Sequence, residues 1–465
     1  MQNDYQDRLD YLYSRLDYER LGMPKIPGEL RLRRMRRLLR TLGDPHLDLP
    51  IIHVAGTKGK GSTAAMVAAA LTASGVRTGL YCSPHLHRLE ERFSIDGNAA
   101  SPAELAALVD VLKEAVDQLE VDDPNDDHRG ATFFEITTAM GLLYFARRGV
   151  GAVVLEVGMG GRLDSTNVVH PALSIITSIS FDHTRQLGNT LAAIATEKAG
   201  ILKRGRPAIS GVREPEARRA IRRVAKERRC VLRELDVDFT YDSIVPVPPL
   251  HGPTPGFVAA RTWRTDWGRL SLPLLGSHQA HNAAVALAAL DLLAEVHPKL
   301  AVNRNDLIRG FAALQWPARV EVLGQQPWLV IDGAHNAASA VALAETLETC
   351  FPPTPRTLVF GTTREKDLEG QLRALIPLFD MIIATRYVEN PRSVAPETIA
   401  AATMELSGCS AQIASDPAEA LDLARRLTPV YGLICVTGSL FLAAEARAIV
   451  LPHVRGPSIT GGVVT

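Results

Sequence analysis

The stretch HVAGTKGKGSTAAM, residues 53–66, places three glycines and two lysines between two apolar segments. The segment PIIHVAG (50–56) is rich in β-branched residues and predicts a buried strand. The segment GSTAAMVAAALTASG (61–75) is rich in alanine and predicts a helix. Bare backbone N–H groups and the positive end of a helix together bind phosphate, so this junction favours a phosphate-binding loop over residues 56–63.

The loop differs from the common motif GxxxxGK[ST], because Gly61 stands between Lys60 and Ser62. In the phosphate-binding interpretation, Lys60 reaches the terminal phosphates and Ser62 or Thr63 lies near a metal ion. The alternative is a tight glycine turn with solvated lysines. Taken alone, the loop predicts only that the chain binds a nucleotide.

The rest of the chain alternates short β-branched runs with longer Ala- and Leu-rich stretches, which is typical of βαβ units and a mostly parallel sheet. The pattern fades between Val237 and Leu275, where we expect antiparallel strands and loops. A helix follows, and the alternation restarts after QWPARVEVL (315–323). We therefore predict an α/β protein with a boundary near residues 314–316, giving one domain over residues 1–315 and a smaller one over residues 316–465.

Composition narrows the class of protein. The chain has 465 residues, of which 46% are hydrophobic, enough for more than one core. Its net charge is zero, which argues against a bulk nucleic-acid or membrane partner. The five cysteines form no CxxC pair, which argues against a disulfide framework and a thiolate metal site. The charged N-terminus does not resemble a signal peptide, so we expect a cytoplasmic protein.

Polar residues follow several of the predicted strands. Ser83 ends one strand in YCSPH, Glu156 ends a second in LEVGMGG, and Asp182 and His183 follow a third in SISFDH. Ligands of open parallel sheets gather beyond the carboxyl ends of the strands. A hydroxyl, a carboxylate and an imidazole could therefore converge near the phosphates and hold a divalent ion, with His183 the least expected ligand of Mg²⁺. Taken singly, each residue is more readily explained as a strand-end hydrogen-bonding group.

At this point the sequence resembles the folylpolyglutamate synthase/dihydrofolate synthase family, a branch of the Mur ligase superfamily. The resemblance runs nearly end to end. It is carried by HVAGTKGKGST, SPHLHRLEERFSIDG, TFFEITT, LEVGMGGRLDSTNVV, the run from ITSISFDH to EKAGILK, GSHQAHNAAVA, WPARVE, DGAHN, NPRSV and TGSLFL. Several of these segments are long and rarely occur outside the family.

The resemblance implies an ATP-dependent amide ligase that joins L-glutamate to a folate, to dihydropteroate, or to both through an acyl phosphate. The implied fold is a Mur-ligase-like ATP-binding domain followed by a Rossmann-like C-terminal domain. ATP is the implied co-substrate, with two Mg²⁺ sites, and the resemblance also allows a monovalent cation. The expected partners are these small molecules, with no nucleic acid and no membrane, and the expected state is a monomer.

The same resemblance assigns roles to individual residues. Catalytic roles fall on Lys60, His183 and Lys198, the last as a carbamate that would supply oxygen ligands. The implied metal ligands are Ser83, Glu156 and His183. The implied ATP contacts are Gly59, Lys60, Gly61, Ser62, Asn282, Arg319 and Asp332, and His335 is a further candidate for ATP or glutamate. The implied pterin or folate contacts are Thr132, Phe133, Phe134, Glu135, Leu163, Asp164 and Ser165.

Several interpretations compete with these assignments. From sequence alone Lys198 is a solvated helix lysine, and Phe133 and Phe134 fit an apolar core equally well. Lys58 stands where many family members have asparagine, and its added cation should still favour phosphate. In GTTREKDLEG (361–370) the pattern is looser than usual, but Lys366 is in place.

Other functions stay open as well. A different Mur-type ligase would join an amino acid to another acid, and a regulatory nucleotide-binding module would hold or hydrolyse nucleotide without an acceptor.

The arginine-rich segment RLRRMRRLLR (31–40) fits an apolar helical stripe with a solvated face better than a nucleic-acid site.

Overall fold

A computed structural model describes residues 2–17, 29–122, 130–244, 253–352 and 354–451. Its first sheet has eight strands, which are β1 (Ile51–Ala55), β2 (Thr78–Tyr81), β3 (Phe93–Ile95), β4 (Asn98–Ala99), β5 (Ala152–Glu156), β6 (Leu173–Ile176), β7 (Ala208–Ser210) and β8 (Leu232–Glu234). Their order is β4-β3-β2-β5-β1-β6-β7-β8. The six strands from β2 to β8 run parallel, and β3 and β4 extend one edge antiparallel.

Within the described residues, ten α-helices surround this sheet and the loops that leave it. They are α1 (Gln2–Tyr13), α2 (Glu29–Thr41), α3 (Lys60–Ala73), α4 (Pro102–Asp122), α5 (Phe133–Arg147), α6 (Thr184–Leu187), α7 (Leu191–Ala199), α8 (Pro215–Glu227), α9 (Ser277–Val296) and α10 (Arg304–Ala313). Strand β1 is buried on both faces, as its continuous apolar run predicts. Ile52 and Val54 face a core built with α3 and α9, whereas Ile51 faces a second core built with α2, α4 and α5.

A small antiparallel sheet follows, where the alternating pattern fades. It consists of β9 (Thr240–Ile244), β10 (Phe257–Arg261) and β11 (Asp266–Ser271), in the order β11-β10-β9. Trp267 and Leu270 pack into the same core as α9. The expected antiparallel strands are thus present, apart from residues 245–252, which lie outside the described residues.

The third sheet has six strands. They are β12 (Glu321–Gln325), β13 (Trp328–Ile331), β14 (Arg356–Phe360), β15 (Met381–Ala384), β16 (Gln412–Ile413) and β17 (Leu433–Thr437), in the order β12-β13-β17-β14-β15-β16. Only β12 pairs antiparallel. The helices of this part are α11 (Ala337–Cys350), α12 (Leu368–Leu375), α13 (Pro396–Ser407), α14 (Pro417–Leu427) and α15 (Leu440–Val450). The predicted α/β class with mostly parallel sheets is confirmed.

The two large sheets are built from separate parts of the chain. Helix α10 ends at Ala313 and packs against α3, and β12 begins the third sheet at Glu321. The boundary at residues 314–316 stays a prediction, and we use it to name an N-terminal part (to residue 315) and a C-terminal part (from residue 316). In the described residues no helix has both the length and the apolarity that crossing a bilayer requires.

The arginine-rich helix α2 largely follows its predicted pattern. Met35, Leu38 and Leu39 are fully buried against the second core. Arg34 departs from the expectation that the arginines share a solvated face, because it is buried and pairs with Glu135 at 2.8 Å. A charge that faces the core needs a partner there, and the periodicity of one helix cannot reveal that partner.

Candidate active site

The glycine-rich segment 56–63, which we call the phosphate loop after its predicted role, joins β1 to α3, so the predicted order of strand, glycine turn and helix is present. Gly59 caps the helix in the left-handed region with a φ of 76°, a conformation that favours glycine. A Cβ atom added to Gly59 would lie 2.1 Å from Oδ1 of Asn282, so the helix α9 side chain packs directly on the loop. Two of the predicted nucleotide residues are therefore in contact.

Hydrogen bonds to the end of β6 hold the loop backbone in place. The N–H of Thr57 donates to the carbonyl of Ser178 at 2.8 Å, and the N–H of Lys58 donates to Ser178 Oγ at 3.1 Å. Thr177 Oγ1 donates to the carbonyl of Lys58 at 2.6 Å. Because these contacts satisfy the backbone of the central loop residues, the loop is positioned by a neighbouring strand as well as by its own glycines.

Lys60 and Glu156 meet beside the first turn of α3. Lys60 Nζ lies 3.9 Å from Oε1 of Glu156, which is buried at the end of β5. The Ser83 N–H donates to the Glu156 carboxylate. Burial raises the pKa of Glu156, and the charges of Lys60 and Arg319 oppose that rise. This carboxylate is thus surrounded by cationic groups in a site from which water is largely excluded.

His183 lies at the edge of the same group of residues. It precedes α6 in the left-handed region, and its side chain is 45% exposed. Partial burial lowers its pKa against the opposing charge of Asp182, and Lys366, Lys60 and Lys198 lower it further. A neutral imidazole is the form that binds a metal.

The predicted metal ligands are thus gathered around Lys60, with Ser83 bonded to Glu156 through its backbone. Among the described residues no three His, Cys, Asp or Glu side chains are grouped as a metal site.

Lys198 is buried, which corrects its reading as a solvated helix lysine. It lies in the last turn of α7, and its Nζ donates to the carbonyl of Gly56 in the phosphate loop at 2.9 Å. Burial, and next the charge of Lys60, lower its pKa to about 7. A substantial fraction of this amine is therefore neutral and nucleophilic near pH 7.

Two predicted nucleotide residues of the C-terminal part lie near each other, and one of them, Arg319, also lies near Glu156. Asp332, at the end of β13, accepts the N–H groups of Val320 at 2.9 Å and Ala334 at 2.7 Å. Burial raises the pKa of Asp332, and the charge of Arg319 opposes the rise, as it does for Glu156. Arg319 therefore lies close to carboxylates of both parts of the chain.

Asp182 joins the two parts and was not assigned a role from sequence. Lys366 Nζ donates to its Oδ1 at 3.1 Å, and Asn336 Nδ2 donates to its Oδ2 at 3.2 Å. His335, next to Asn336, is close enough for Lys58 and Lys366 to lower its pKa further than burial alone. The sequence does show that Asp182 is an acidic residue next to His183 and after a strand. It could not show that Asp182 binds Lys366 and Asn336, because these residues lie far along the chain.

The predicted pterin residues at the start of α5 have different environments. Thr132 caps α5 and forms a capping box with Glu135. Phe133 is buried and stacks on Tyr13 with ring centroids 5.6 Å apart, as the core interpretation expects. Phe134 is only partly buried and packs so closely on Gly158 that an added Cβ there would lie 2.5 Å from its ring. Of the two aromatic residues, Phe134 is the more available to a ligand.

The other predicted pterin residues form a turn after the second glycine-rich segment. Asp164 Oδ2 accepts the N–H of Met159 at 2.9 Å, and its Oδ1 accepts the N–H of Thr166 at 3.0 Å. Burial raises its pKa and Lys60 lowers it, so the turn lies near the phosphate loop. Ser165 is buried and Leu163 partly so.

Comparison with known proteins identifies the family of this chain. The Mur ligase middle domain matches residues 54–290, and the glutamate ligase domain of Mur ligases matches residues 318–440. The chain is 33% identical over 448 residues to a dihydrofolate synthase/folylpolyglutamate synthase of Bacillus subtilis, covering 95% of this chain and 98% of the relative. The chain belongs to the folylpolyglutamate synthase/dihydrofolate synthase family.

Two further comparisons define the extent of the likeness. The structure of Mycobacterium tuberculosis folylpolyglutamate synthase complexed with ADP superposes with a TM-score of 0.87 at 32% identity, covering 98% of this chain and 99% of the other. A probable bifunctional folylpolyglutamate synthase/dihydropteroate synthase of Haloferax volcanii is 37% identical, but this chain spans only 47% of its length. The family resemblance thus covers the whole described fold, and one relative has a further region that this chain does not match.

Proposed function

We propose that this chain is an ATP-dependent amide ligase that adds L-glutamate to a folate, to dihydropteroate, or to both. The reaction forms an acyl phosphate and releases ADP and phosphate. One observation carries the proposal: Glu156, which pairs with Lys60 at the phosphate loop, also feels the charge of Arg319 from the C-terminal part, and Arg319 in turn lies near Asp332. A module that only binds nucleotide has no use for this second set of residues.

The chemistry explains why cations are needed here. A carboxylate oxygen of the acid substrate attacks the γ-phosphorus of ATP, and the bond to the β,γ-bridging oxygen breaks, so ADP leaves. Both partners are anions. Lys60, at the start of α3, and Arg319 reduce their repulsion and stabilise the charge that develops on the phosphoryl oxygens.

The backbone of the loop supplies the remaining phosphate contacts. Gly59, Gly61 and Ser62 begin α3, so their N–H groups point toward the loop at the positive end of the helix. Asn282 packs on Gly59, and we propose that Asn282, Arg319 and Asp332 contact the nucleotide. His335 lies near Lys58 and Lys366, and we propose it as a further contact for ATP or glutamate.

Ser83, Glu156 and His183 would hold Mg²⁺. The buried Glu156 carboxylate supplies oxygen atoms of the kind that Mg²⁺ prefers, and Lys60, 3.9 Å away, would have to move toward the phosphates for a metal ion to bind. Bound there, Mg²⁺ would neutralise phosphate charge and orient the γ-phosphate. A Lys198 carbamate would add oxygen donors for a second ion, and the partly neutral amine of Lys198 is the form that adds to CO₂.

The second half-reaction requires protection from water. The neutral amine of glutamate attacks the acyl carbon, the tetrahedral intermediate expels phosphate, and the amide forms with loss of a proton. Water would compete for the same carbon, so closure of the C-terminal part over the loop favours the amide. Phe134 and the turn at Leu163–Ser165 would contact the pterin side of the substrate.

Product analysis tests the proposal. Purified protein is supplied with ATP, Mg²⁺ and L-glutamate, together with dihydropteroate or with tetrahydrofolate, and the products are separated by mass. We expect ADP to appear in step with a product heavier by one or more glutamyl residues. ADP formation at the same rate with and without glutamate would favour a regulatory nucleotide-binding module. ADP formation that depends on a UDP-sugar peptide would favour another Mur-type ligase. A monomeric state and a cytoplasmic location stay predictions, to be checked by light scattering and cell fractionation.

A further inference from the structure

Hydrogen bonds hold the backbone of Lys58 in place and so limit where its side chain can lie. Its N–H and its carbonyl are both bonded to the segment after β6, so the residue cannot turn without breaking the loop's attachment. Its Nζ lies 3.5 Å from Oδ2 of Asp182. That Nζ atom is buried and makes no hydrogen bond of good geometry within the described part of the chain. The sequence interpretation, in which this cation simply serves the phosphates, does not account for the contact.

Asp182 receives cations from both parts of the chain. Lys58 comes from the phosphate loop, and Lys366, from the loop after β14, binds the other carboxylate oxygen at 3.1 Å. Asn336, at the start of α11, adds a hydrogen bond at 3.2 Å. Two ammonium groups therefore share one carboxylate, and the carboxylate forms the junction between the loop and the C-terminal part.

We infer that Lys58 is a positioning residue: the Lys58–Asp182–Lys366 bridge couples the phosphate loop to the closed arrangement of the two parts. The inference rests on the proposed ligase function and deepens it. Lys58 holds Asp182 toward the loop, and Asp182 holds Lys366 and α11 over the site. Loss of Lys58 loosens closure and leaves the other phosphate-binding groups in place.

The excess of cations supports this role. The bridge contains two lysine ammonium groups and a single carboxylate, that of Asp182, so it carries one net positive charge. Such a charge in a partly buried cleft attracts an anion, and the reaction places anions there at every stage. Closure is therefore favoured when the triphosphate or acyl phosphate is present, which is when water must be kept out.

The experiment measures how many ADP molecules are released for each amide formed. Lys58→Met removes the cation and keeps most of the side-chain volume. We expect the ADP-to-amide ratio to rise severalfold above that of the wild type, because the acyl phosphate meets water more often. Lys58→Arg should restore most of the coupling. A merely structural defect would lower ADP and amide together and leave their ratio unchanged.

A double variant tests whether the two lysines act through Asp182. Lys366→Met alone should also raise the ratio. Lys58→Met combined with Lys366→Met should give a ratio within about twofold of the larger single effect, since groups in one network are not additive. Independent effects would multiply instead. Ratios that multiply, or a ratio unchanged in Lys58→Met, overturn the inference.

Lys203 offers a matched control. It is also a partly buried lysine of the N-terminal part, but its Nζ donates to the carbonyl of Asn167, away from the bridge. Lys203→Met should leave the ADP-to-amide ratio unchanged even where it lowers stability. A wild-type protein that forms no amide with any folate or pteroate acceptor would instead refute the proposed function, so the two failures are distinguishable.

Discussion

Lys60 and Glu156 join two different strand ends in one charge pair. Lys60 Nζ, at the start of the helix after β1, lies 3.9 Å from Oε1 of Glu156, at the end of β5, and β1 and β5 are neighbours in the sheet. Glu156 is buried and Lys60 is mostly shielded, so water screens the pair less than it would at the surface. A cation and an anion held so close to the phosphate loop can separate when substrates arrive, the cation to phosphate and the anion to a metal ion.

Lys60→Ala should abolish turnover. The substitution removes the cation that reduces repulsion at the γ-phosphate, and it leaves the buried Glu156 without its closest cation. The measurement is ADP formation with all substrates present, alongside circular dichroism to show that the variant is folded. Lys226→Ala, on the exposed face of α8, is the control and should keep wild-type activity. Unchanged ADP formation in Lys60→Ala would refute the phosphate-loop assignment.

Lys198→Ala should lose activity and regain part of it with a short-chain carboxylate such as acetate. The side chain it removes is the proposed carbamate, and a small carboxylate can supply similar oxygen donors to the space that is left. The assay is amide formation across a range of acetate concentrations, with chloride salts as the ionic-strength control. Full activity without any additive would show that neither the lysine nor its carbamate is needed.

Gly59→Ala should impair ATP binding more than stability. The left-handed φ of 76° costs any L-residue roughly 1–2 kcal/mol, and the new Cβ would also collide with Asn282 Oδ1. Gly75→Ala is a matched control, because Gly75 has a φ of 88° but no atom within 4 Å of the added Cβ. Both variants should lose free energy of unfolding in urea titrations, and Gly59→Ala should lose more because only it adds the collision with Asn282. Only Gly59→Ala should show weaker nucleotide binding by calorimetry, and equal affinities in the two variants would count against a loop role for Gly59.

The sequence predicted features that depend on neighbours along the chain. The strand, glycine turn and helix around Gly59 all lie between Ile51 and Ala73, so local pattern was enough to place them. The parallel sheet then brought Ser83 and Glu156 to the same edge, because both follow parallel strands. Lys198 could not be placed in this way, since its burial arises from packing of α7 against the phosphate loop.

Contacts between residues that lie far apart along the chain could not be predicted from the sequence. Asp182 and Lys366 are 184 residues apart, and no periodicity relates a loop of one sheet to a loop of another. Phe133 and Phe134 are adjacent and chemically identical, yet one stacks in the core and the other faces the second glycine turn. Which of them is available to substrate depends on the angle at which α5 enters the fold, and that angle is set by tertiary contacts.

His53 should make folding stability depend on pH. This residue of β1 is fully buried, and its Nε2 lies 2.9 Å from Oγ1 of Thr166. That hydroxyl donates to Asp164, so Nε2 carries the proton and donates to Thr166. Protonation would add a second N–H at Nδ1, which has no partner in the described structure. Burial accordingly lowers the pKa of His53 to about 3.

The direction of the effect follows from that lowered pKa. Below its ordinary value of 6.5 the unfolded chain takes up a proton at His53 and the folded chain does not. Stability contributed by the neutral ring is therefore complete above pH 6.5 and is lost as the pH falls toward 3. His53→Gln keeps a donor to Thr166 but cannot titrate. As the pH falls from 6 to 4, the free energy of unfolding of this variant should therefore decrease less steeply than that of the wild type, and the two slopes should differ by about 1.4 kcal/mol per pH unit. Urea titrations across this range measure both slopes, and equal slopes would mean that His53 is already charged in the folded protein.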